Sequence, residues 1–106
     1  MPRILVVDDE AANRITLDRI LRREGWEVVQ APDGRQALEI VRTQGADVVV
    51  SDLNMPGMSG LELLRATREV SPDIEFIVMT AYGTVESAVE AMKDGAYDFV
   101  TKPLKR

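Results

Sequence analysis

The sequence has 106 residues, of which 45% are hydrophobic and 29% are charged, a composition typical of one folded domain rather than a disordered chain. It contains no cysteine and no histidine, which excludes disulfides, thiolate metal sites and catalysis by Ser-His or Cys-His pairs. The formal net charge of −5 opposes binding to a phosphate backbone, so nucleic acid is not an expected partner of this fragment.

Short apolar runs alternate along the chain with longer segments of helical periodicity, a pattern that predicts βαβ units. The predicted strands contain residues 4–7, 28–29, 48–50, 76–79 and, in a short fifth strand, 99–101. None of these runs is long enough to cross a bilayer, and no signal peptide precedes them. We therefore expect a cytoplasmic domain with no membrane contact.

Four helices are predicted between the strands. The first begins just after Asp9 and ends at Gly25, which can adopt the left-handed cap conformation. The second begins near Asp33, and the third follows Ser59, where Glu62 three residues later indicates a capping box.

The fourth helix has the clearest periodicity. Its apolar residues at i, i+3, i+4 and i+7 are Val85, Ala88, Val89 and Met92. This spacing predicts an apolar stripe that faces the sheet.

The fold class follows from which strands are apolar at every position. Such strands are usually buried on both faces, which places the first, third and fourth in the middle and the second and fifth at the edges. With right-handed crossovers, we predict an α/β fold with a doubly wound five-stranded parallel sheet of order 2-1-3-4-5. We expect one domain over residues 1–106 without a final helix, so that an apolar face remains half covered and favours dimerisation or dye binding.

Polar residues follow the predicted strands at the edge where open α/β sheets bind their ligands. They are Asp8, Asp9, Asp52, Thr80 and Lys102. Each has an ordinary structural explanation when taken alone, because acidic residues favour helix starts and turns, and hydroxyls and lysines are common at strand ends. Their joint placement favours one shared site.

Three carboxylates in one crevice need counter-charge. At an effective dielectric constant near 20, two carboxylates about 4 Å apart repel each other by roughly 4 kcal/mol. Lys102 supplies a single positive charge, and a hard cation bound by few oxygens and several waters, such as Mg²⁺, supplies the rest. Mg²⁺ and Lys102 would then form a phosphoryl-binding pocket, in which Asp52, isolated on the third strand, is the predicted nucleophile.

At these positions the chain resembles the receiver domains of bacterial two-component response regulators. The matching segments are 4–10, 51–57, 79–81 and 101–103, and the resemblance extends over essentially the whole chain. Residues 81–93 and 95–103 are most similar to receivers of NtrC-type transcription activators, which act in signal transduction.

The resemblance implies a role for each acidic residue. Asp52 would be the phosphoacceptor. The Mg²⁺ ion would be held directly by Asp9, Asp52 and the backbone carbonyl of Asn54, while Asp8 would act mainly through water.

The resemblance also implies a phosphoryl-binding set and a switch. The phosphoryl group would be bound by Thr80, Ala81 and Lys102. Thr80 and Phe99 would move together as the switch, and the peptide bond before Pro103 would be cis.

Receivers of this kind take their phosphoryl group from a sensor histidine kinase and act on an output domain or through a homodimer. They are not enzymes towards other substrates, because they catalyse only their own phosphorylation and dephosphorylation. The first helix carries four arginines in the region that docks the kinase in receivers: Arg14, Arg19, Arg22 and Arg23. A solvated charged face explains each arginine equally well.

Three other classes share parts of this pattern. A flavodoxin-like carrier has the same strand order, but the acidic residues 8–10 would repel the FMN phosphate in the absence of a metal. A Mg²⁺-dependent phosphohydrolase with an aspartyl nucleophile differs by turning over many substrates instead of taking one phosphoryl group. A degenerate receiver that only contacts other proteins is disfavoured, since no site residue is missing.

Overall fold

The computed structural model describes residues 2–80 and 85–101. The strands are β1 (Arg3–Val7), β2 (Glu27–Ala31), β3 (Val48–Asp52), β4 (Glu75–Thr80) and β5 (Asp98–Thr101). The helices are α1 (Ala11–Arg23), α2 (Gly34–Thr43), α3 (Gly60–Val70) and α4 (Val85–Lys93). Among these, none is long and apolar enough to span a membrane.

All five strands pair in parallel in the order β2-β1-β3-β4-β5, which confirms the predicted topology. β1 lies in the interior of the sheet because residues 4–7 are apolar at every position and are buried on both faces. Val7 is opposite Ser51 in the register between β1 and β3. The next residues along these two strands, Asp8 and Asp52, therefore lie at the same edge of the sheet.

Side chains at the predicted caps begin two of the helices. Asp33 accepts a hydrogen bond of 2.8 Å from the backbone N–H of Gln36 at the start of α2. Ser59 and Glu62 exchange hydrogen bonds of 2.9 and 3.2 Å at the start of α3, which confirms the predicted capping box. Gly25, just beyond α1, has φ of +96°, the conformation predicted for it.

The sheet has a hydrophobic core on each face. One core lies under α2, α3 and α4, and its largest buried side chain is that of Phe76. The other core includes Leu17 of α1. Beside α1 the second face carries a groove of about 440 Å³, lined mostly by apolar side chains that include Trp26, Ile77 and Tyr97. This groove agrees with the expectation that α1 covers the face only in part.

The predicted orientation of α4 is wrong. Val89 and Met92 are 47% and 49% exposed, whereas Ala91 is completely buried in the core and Ala88 is half buried. The small alanine side chains let the helix backbone approach the sheet closely. The bulkier residues consequently face solvent. The backbone N–H of Ala96 then donates to the carbonyl of Ala91, which returns the chain to β5.

Candidate functional site

Three carboxylates meet at the carboxyl edge of the sheet. Asp8, Asp9 and Asp52 each offer one carboxylate oxygen, and these oxygens all lie within 4.8 Å of one another. Asp8 is completely buried, Asp52 is 6% exposed and Asp9 is exposed. The structure therefore brings together the three acidic residues that the sequence placed in one site, with Asp9 on its solvent side.

Asp8 is fixed by its backbone as well as by its side chain. Its N–H donates to the carbonyl of Ala31 at 3.2 Å, and its carboxylate accepts from the N–H of Glu10 at 2.9 Å. Its carbonyl accepts a hydrogen bond of 2.6 Å from Nη1 of Arg14. Because these bonds reach β2, the loop and α1, the end of β1 has little freedom to shift.

Asp52 is positioned by the loop that follows β3. The N–H of Leu53 donates to the carbonyl of Met79 at 2.7 Å, which extends the sheet pairing beyond Asp52. The N–H of Gly60 returns to the carbonyl of Leu53 at 2.9 Å. A side chain at position 60 would overlap the carbonyl oxygen of Asp52, so glycine is required for this close return.

Thr80 lies at the end of β4 and is completely buried. Its hydroxyl accepts a hydrogen bond of 3.0 Å from the side-chain amide of Asn54. The backbone N–H of Asn54 is 3.4 Å from the Asp52 carboxylate. Asn54 thus connects the predicted phosphoacceptor to the predicted switch residue, a link that its expected role as a carbonyl ligand did not include.

Phe99 is half buried and packs against the core under α2, α3 and α4. In the register between β4 and β5, Thr101 is opposite Thr80. Three other predicted site residues, Ala81, Lys102 and Pro103, lie outside the described residues. Their phosphoryl-binding and cis-proline assignments remain predictions.

The donor set is suited to a small hard cation. The three side chains offer only oxygen atoms, which are the ligands that Mg²⁺ prefers, and the exposed Asp9 leaves room for the waters that Mg²⁺ retains. Carboxylates at this separation repel one another by roughly several kcal/mol at an effective dielectric constant near 20, and a bound divalent cation would offset this repulsion. The residues present therefore fit a magnesium ion.

Nothing in the sequence distinguishes Arg14 from the other arginines of α1. Of the four arginines on α1, it is the one whose side chain reaches the backbone next to the acidic cluster. Arg22 instead pairs with Asp18 at i, i+4, as expected for a helix face. Arg19 and Arg23 are exposed. Spacing along a helix does not reveal which arginine meets a particular carbonyl, because that depends on how the helix crosses the sheet.

A family model described as "Response regulator receiver domain" matches residues 4–106. The transcriptional regulatory protein ZraR of Escherichia coli (strain K12) is 46% identical over 101 residues, which are 95% of this chain and 23% of that protein. The chain thus spans less than a quarter of this curated relative.

Two solved structures match almost the whole chain. The solution structure of the beryllofluoride-activated NtrC4 receiver domain dimer has a TM-score of 0.94 and 39% identity, over 99% of this chain and 87% of that one. A Burkholderia pseudomallei response regulator with a phosphorylated aspartic acid, calcium ion and citrate has a TM-score of 0.93 and 33% identity, over 99% of this chain and 62% of that one. TM-scores this high show that both chains share the fold observed here.

Proposed function

This chain belongs to the response regulator receiver domain family, and on that premise we propose that it is a phosphorylation-dependent signalling switch. Asp52 accepts a phosphoryl group from a sensor histidine kinase with Mg²⁺ as cofactor. The observation that carries the proposal is the meeting of Asp8, Asp9 and Asp52 within 4.8 Å at the carboxyl edge of the sheet.

The environments of the three acids favour Asp52 as the nucleophile. The Asp8 carboxylate is completely buried and accepts a hydrogen bond from the Glu10 N–H. It is therefore better suited to holding the loop and contributing negative charge than to attacking a phosphorus atom. Asp9 is on the solvent side. Asp52 ends the central strand β3 and keeps slight access to solvent, and the similar Burkholderia pseudomallei protein contains a phosphorylated aspartic acid.

The transfer forms one bond and breaks one. A carboxylate oxygen of Asp52 attacks the phosphorus in line, while the bond from phosphorus to a histidine nitrogen or an acyl oxygen breaks and its electron pair leaves with the donor. Mg²⁺ would be held directly by Asp9, Asp52 and the Asn54 carbonyl and through water by Asp8, and it would supply positive charge for the phosphoryl oxygens. Together with Thr80, Ala81 and Lys102 complete the phosphoryl-binding set in this proposal.

The switch in this proposal starts at Thr80. Its hydroxyl leaves Asn54 and donates to a phosphoryl oxygen, and Phe99 on the neighbouring strand turns further into the space behind it. Phe99 is already half buried against the core, so the inward movement completes the burial of an aromatic side chain.

The partners belong to the same proposal. They are the sensor kinase and either a second copy or a downstream output domain, which in the full protein controls transcription. The similarity to ZraR and to the NtrC4 receiver dimer supports this assignment. The chain is expected to catalyse only its own phosphorylation and dephosphorylation, in the cytoplasm.

Mass spectrometry of the chain with acetyl phosphate and Mg²⁺ tests the proposal. We expect one phosphoryl group per chain, and none after chelation of the metal or in the Asp52→Asn variant. Asp73→Asn is a matched control, because Asp73 is exposed between α3 and β4 and the same charge is removed. Retention of the adduct in Asp52→Asn would overturn the assignment, and continuous release of phosphate over many turnovers would indicate a phosphohydrolase.

A further inference from the structure

Arg14 connects three elements next to the acidic cluster. Near the start of α1, its Nη1 donates to the carbonyl of Asp8 at 2.6 Å, and its Nε donates to Oε1 of Gln30 on β2 at 3.3 Å. The side chain is half buried, whereas Arg19 and Arg23 on the same helix are exposed. Arg14 is thus built into the fold.

Gln30, which accepts the hydrogen bond from Arg14, is itself held in place by a further hydrogen bond. The side-chain amide of Gln30 donates to the carboxylate of Asp18 at 2.6 Å, and Asp18 also accepts from Arg22. Arg22 in turn donates to the carbonyl of Val28 at 3.0 Å. Since Gln30 is held in this way, its oxygen is a fixed acceptor that orients the Arg14 guanidinium.

The bonded carbonyl belongs to the peptide that joins Asp8 to Asp9. Because a peptide group is planar, fixing its oxygen fixes the orientation of the whole unit, and with it the directions in which the two neighbouring side chains leave the backbone. From this geometry we infer that Arg14 is a positioning residue, which holds the Asp8 and Asp9 carboxylates in the arrangement that binds Mg²⁺. The inference rests on the proposed function.

The direction in which Mg²⁺ affinity changes when Arg14 is removed distinguishes a positioning role from a purely electrostatic one. The Arg14 guanidinium is a positive charge next to a cation site, so its electrostatic effect alone disfavours Mg²⁺. If charge were all that mattered, removing Arg14 would strengthen Mg²⁺ binding. If Arg14 positions the carboxylates, removing it weakens Mg²⁺ binding although the local charge becomes more favourable.

The experiment is a Mg²⁺ titration of the chain, followed by the amide resonances of Asp9 and Asn54, for the wild type and the Arg14→Ala variant. Loss of a residue that orients metal ligands raises the Kd by roughly tenfold or more. Arg14→Lys should recover part of the loss, because lysine keeps the charge and one donor but not the planar fork. Arg35→Ala is the matched control, since Arg35 is exposed near the start of α2 at the same edge of the sheet. Its Kd should equal the wild-type value or lie slightly below it.

Each outcome decides the inference. A folded Arg14→Ala variant that binds Mg²⁺ as tightly as the wild type, or more tightly, overturns it. If that variant does not fold, Gln30→Met removes the side-chain oxygen that accepts from the Arg14 guanidinium. An unchanged Kd for Mg²⁺ in this variant overturns the inference equally. Failure of the wild type to take a phosphoryl group contradicts the proposed function, whereas a phosphorylated wild type with an unaffected Arg14→Ala Kd contradicts only the role of Arg14.

Discussion

The side-chain amide of Asn54 donates a hydrogen bond of 3.0 Å to the hydroxyl of Thr80, across the gap between the β3 loop and the end of β4. A hydroxyl can accept one hydrogen bond and donate another, so this bond opposes the proposed switch only because Thr80 has to move away from Asn54 to reach a phosphoryl group on Asp52. The bond therefore stabilises the arrangement seen here, and in the proposed switch its net free energy has to be overcome when Thr80 moves.

Replacing Asn54 by alanine should favour the switched state. A hydrogen bond of this kind contributes about 1 kcal/mol net, so its loss should strengthen binding of the phosphoryl mimic beryllium fluoride by roughly fivefold. The Asn54 backbone carbonyl is kept in this variant. A titration followed by the amide resonances of Thr80 and Phe99 measures the effect.

The control for this prediction is a double-mutant cycle. In a Thr80→Ala background the Asn54→Ala change should have no further effect on beryllium fluoride affinity, because the bond is already absent. Unchanged or weaker affinity in the Asn54→Ala single variant would contradict the prediction.

Removing one charge from the acidic cluster should stabilise the metal-free fold. We expect Asp52→Asn to raise the free energy of unfolding by on the order of 1–3 kcal/mol in urea with a chelator, because repulsion among three close carboxylates is reduced. Mg²⁺ at 100 times its Kd should stabilise the wild type by about 2.7 kcal/mol and the variant by much less. Lower stability of metal-free Asp52→Asn than of the wild type would argue against a strained cluster, and Asp73→Asn provides the baseline.

Two glycines at equivalent positions should respond differently to alanine. Gly60 and Gly34 are the first residues of α3 and α2. A methyl group at Gly60 would lie 2.4 Å from the backbone carbonyl oxygen of Asp52, which cannot move without displacing the site. At Gly34 the contacts are longer, 2.8 Å to Sδ and 2.9 Å to Cβ of Met58, and the sulfur can rotate away although the Cβ cannot. Urea unfolding should show a loss of roughly 1–3 kcal/mol for Gly60→Ala and a smaller loss for Gly34→Ala. Equal losses would mean that the close return of the β3 loop is not required.

The groove beside α1 should bind a hydrophobic dye or promote dimerisation of this chain. Tyr97 lines it with 65% of its surface exposed, and Tyr97→Ser should reduce dye fluorescence and self-association. Val89→Ser on α4 is a control, since Val89 is also an exposed apolar residue but lies outside the groove. A monomer in sedimentation that leaves the dye fluorescence unchanged would refute this expectation.

The strand order and two of the caps could be predicted because each depends on local chemistry. Continuous apolar runs indicate strands that are buried on both faces. Ser59 and Glu62 indicate a helix start from only four consecutive residues. The rotation of α4 could not be predicted in this way, since Ala88 and Ala91 are apolar enough for either side of the helix and only their small size decides which side approaches the sheet.

In the site, too, some features could be predicted from the sequence and others could not. The acidic residues follow recognisable strands, so their convergence was predictable from topology. The contacts of Arg14 with Asp8 and of Asn54 with Thr80 depend on side-chain directions after the elements have packed, and the second contact joins residues 26 positions apart. Neither contact leaves a pattern in the sequence.

The cluster is assembled from the ends of β1 and β3, which pair side by side although α1, β2 and α2 lie between them in the chain. A nascent polypeptide in which β3 has not yet been synthesised or paired with β1 contains aspartates that are not yet held close together. A divalent cation that needs all three aspartates would therefore bind only after β1 and β3 have paired.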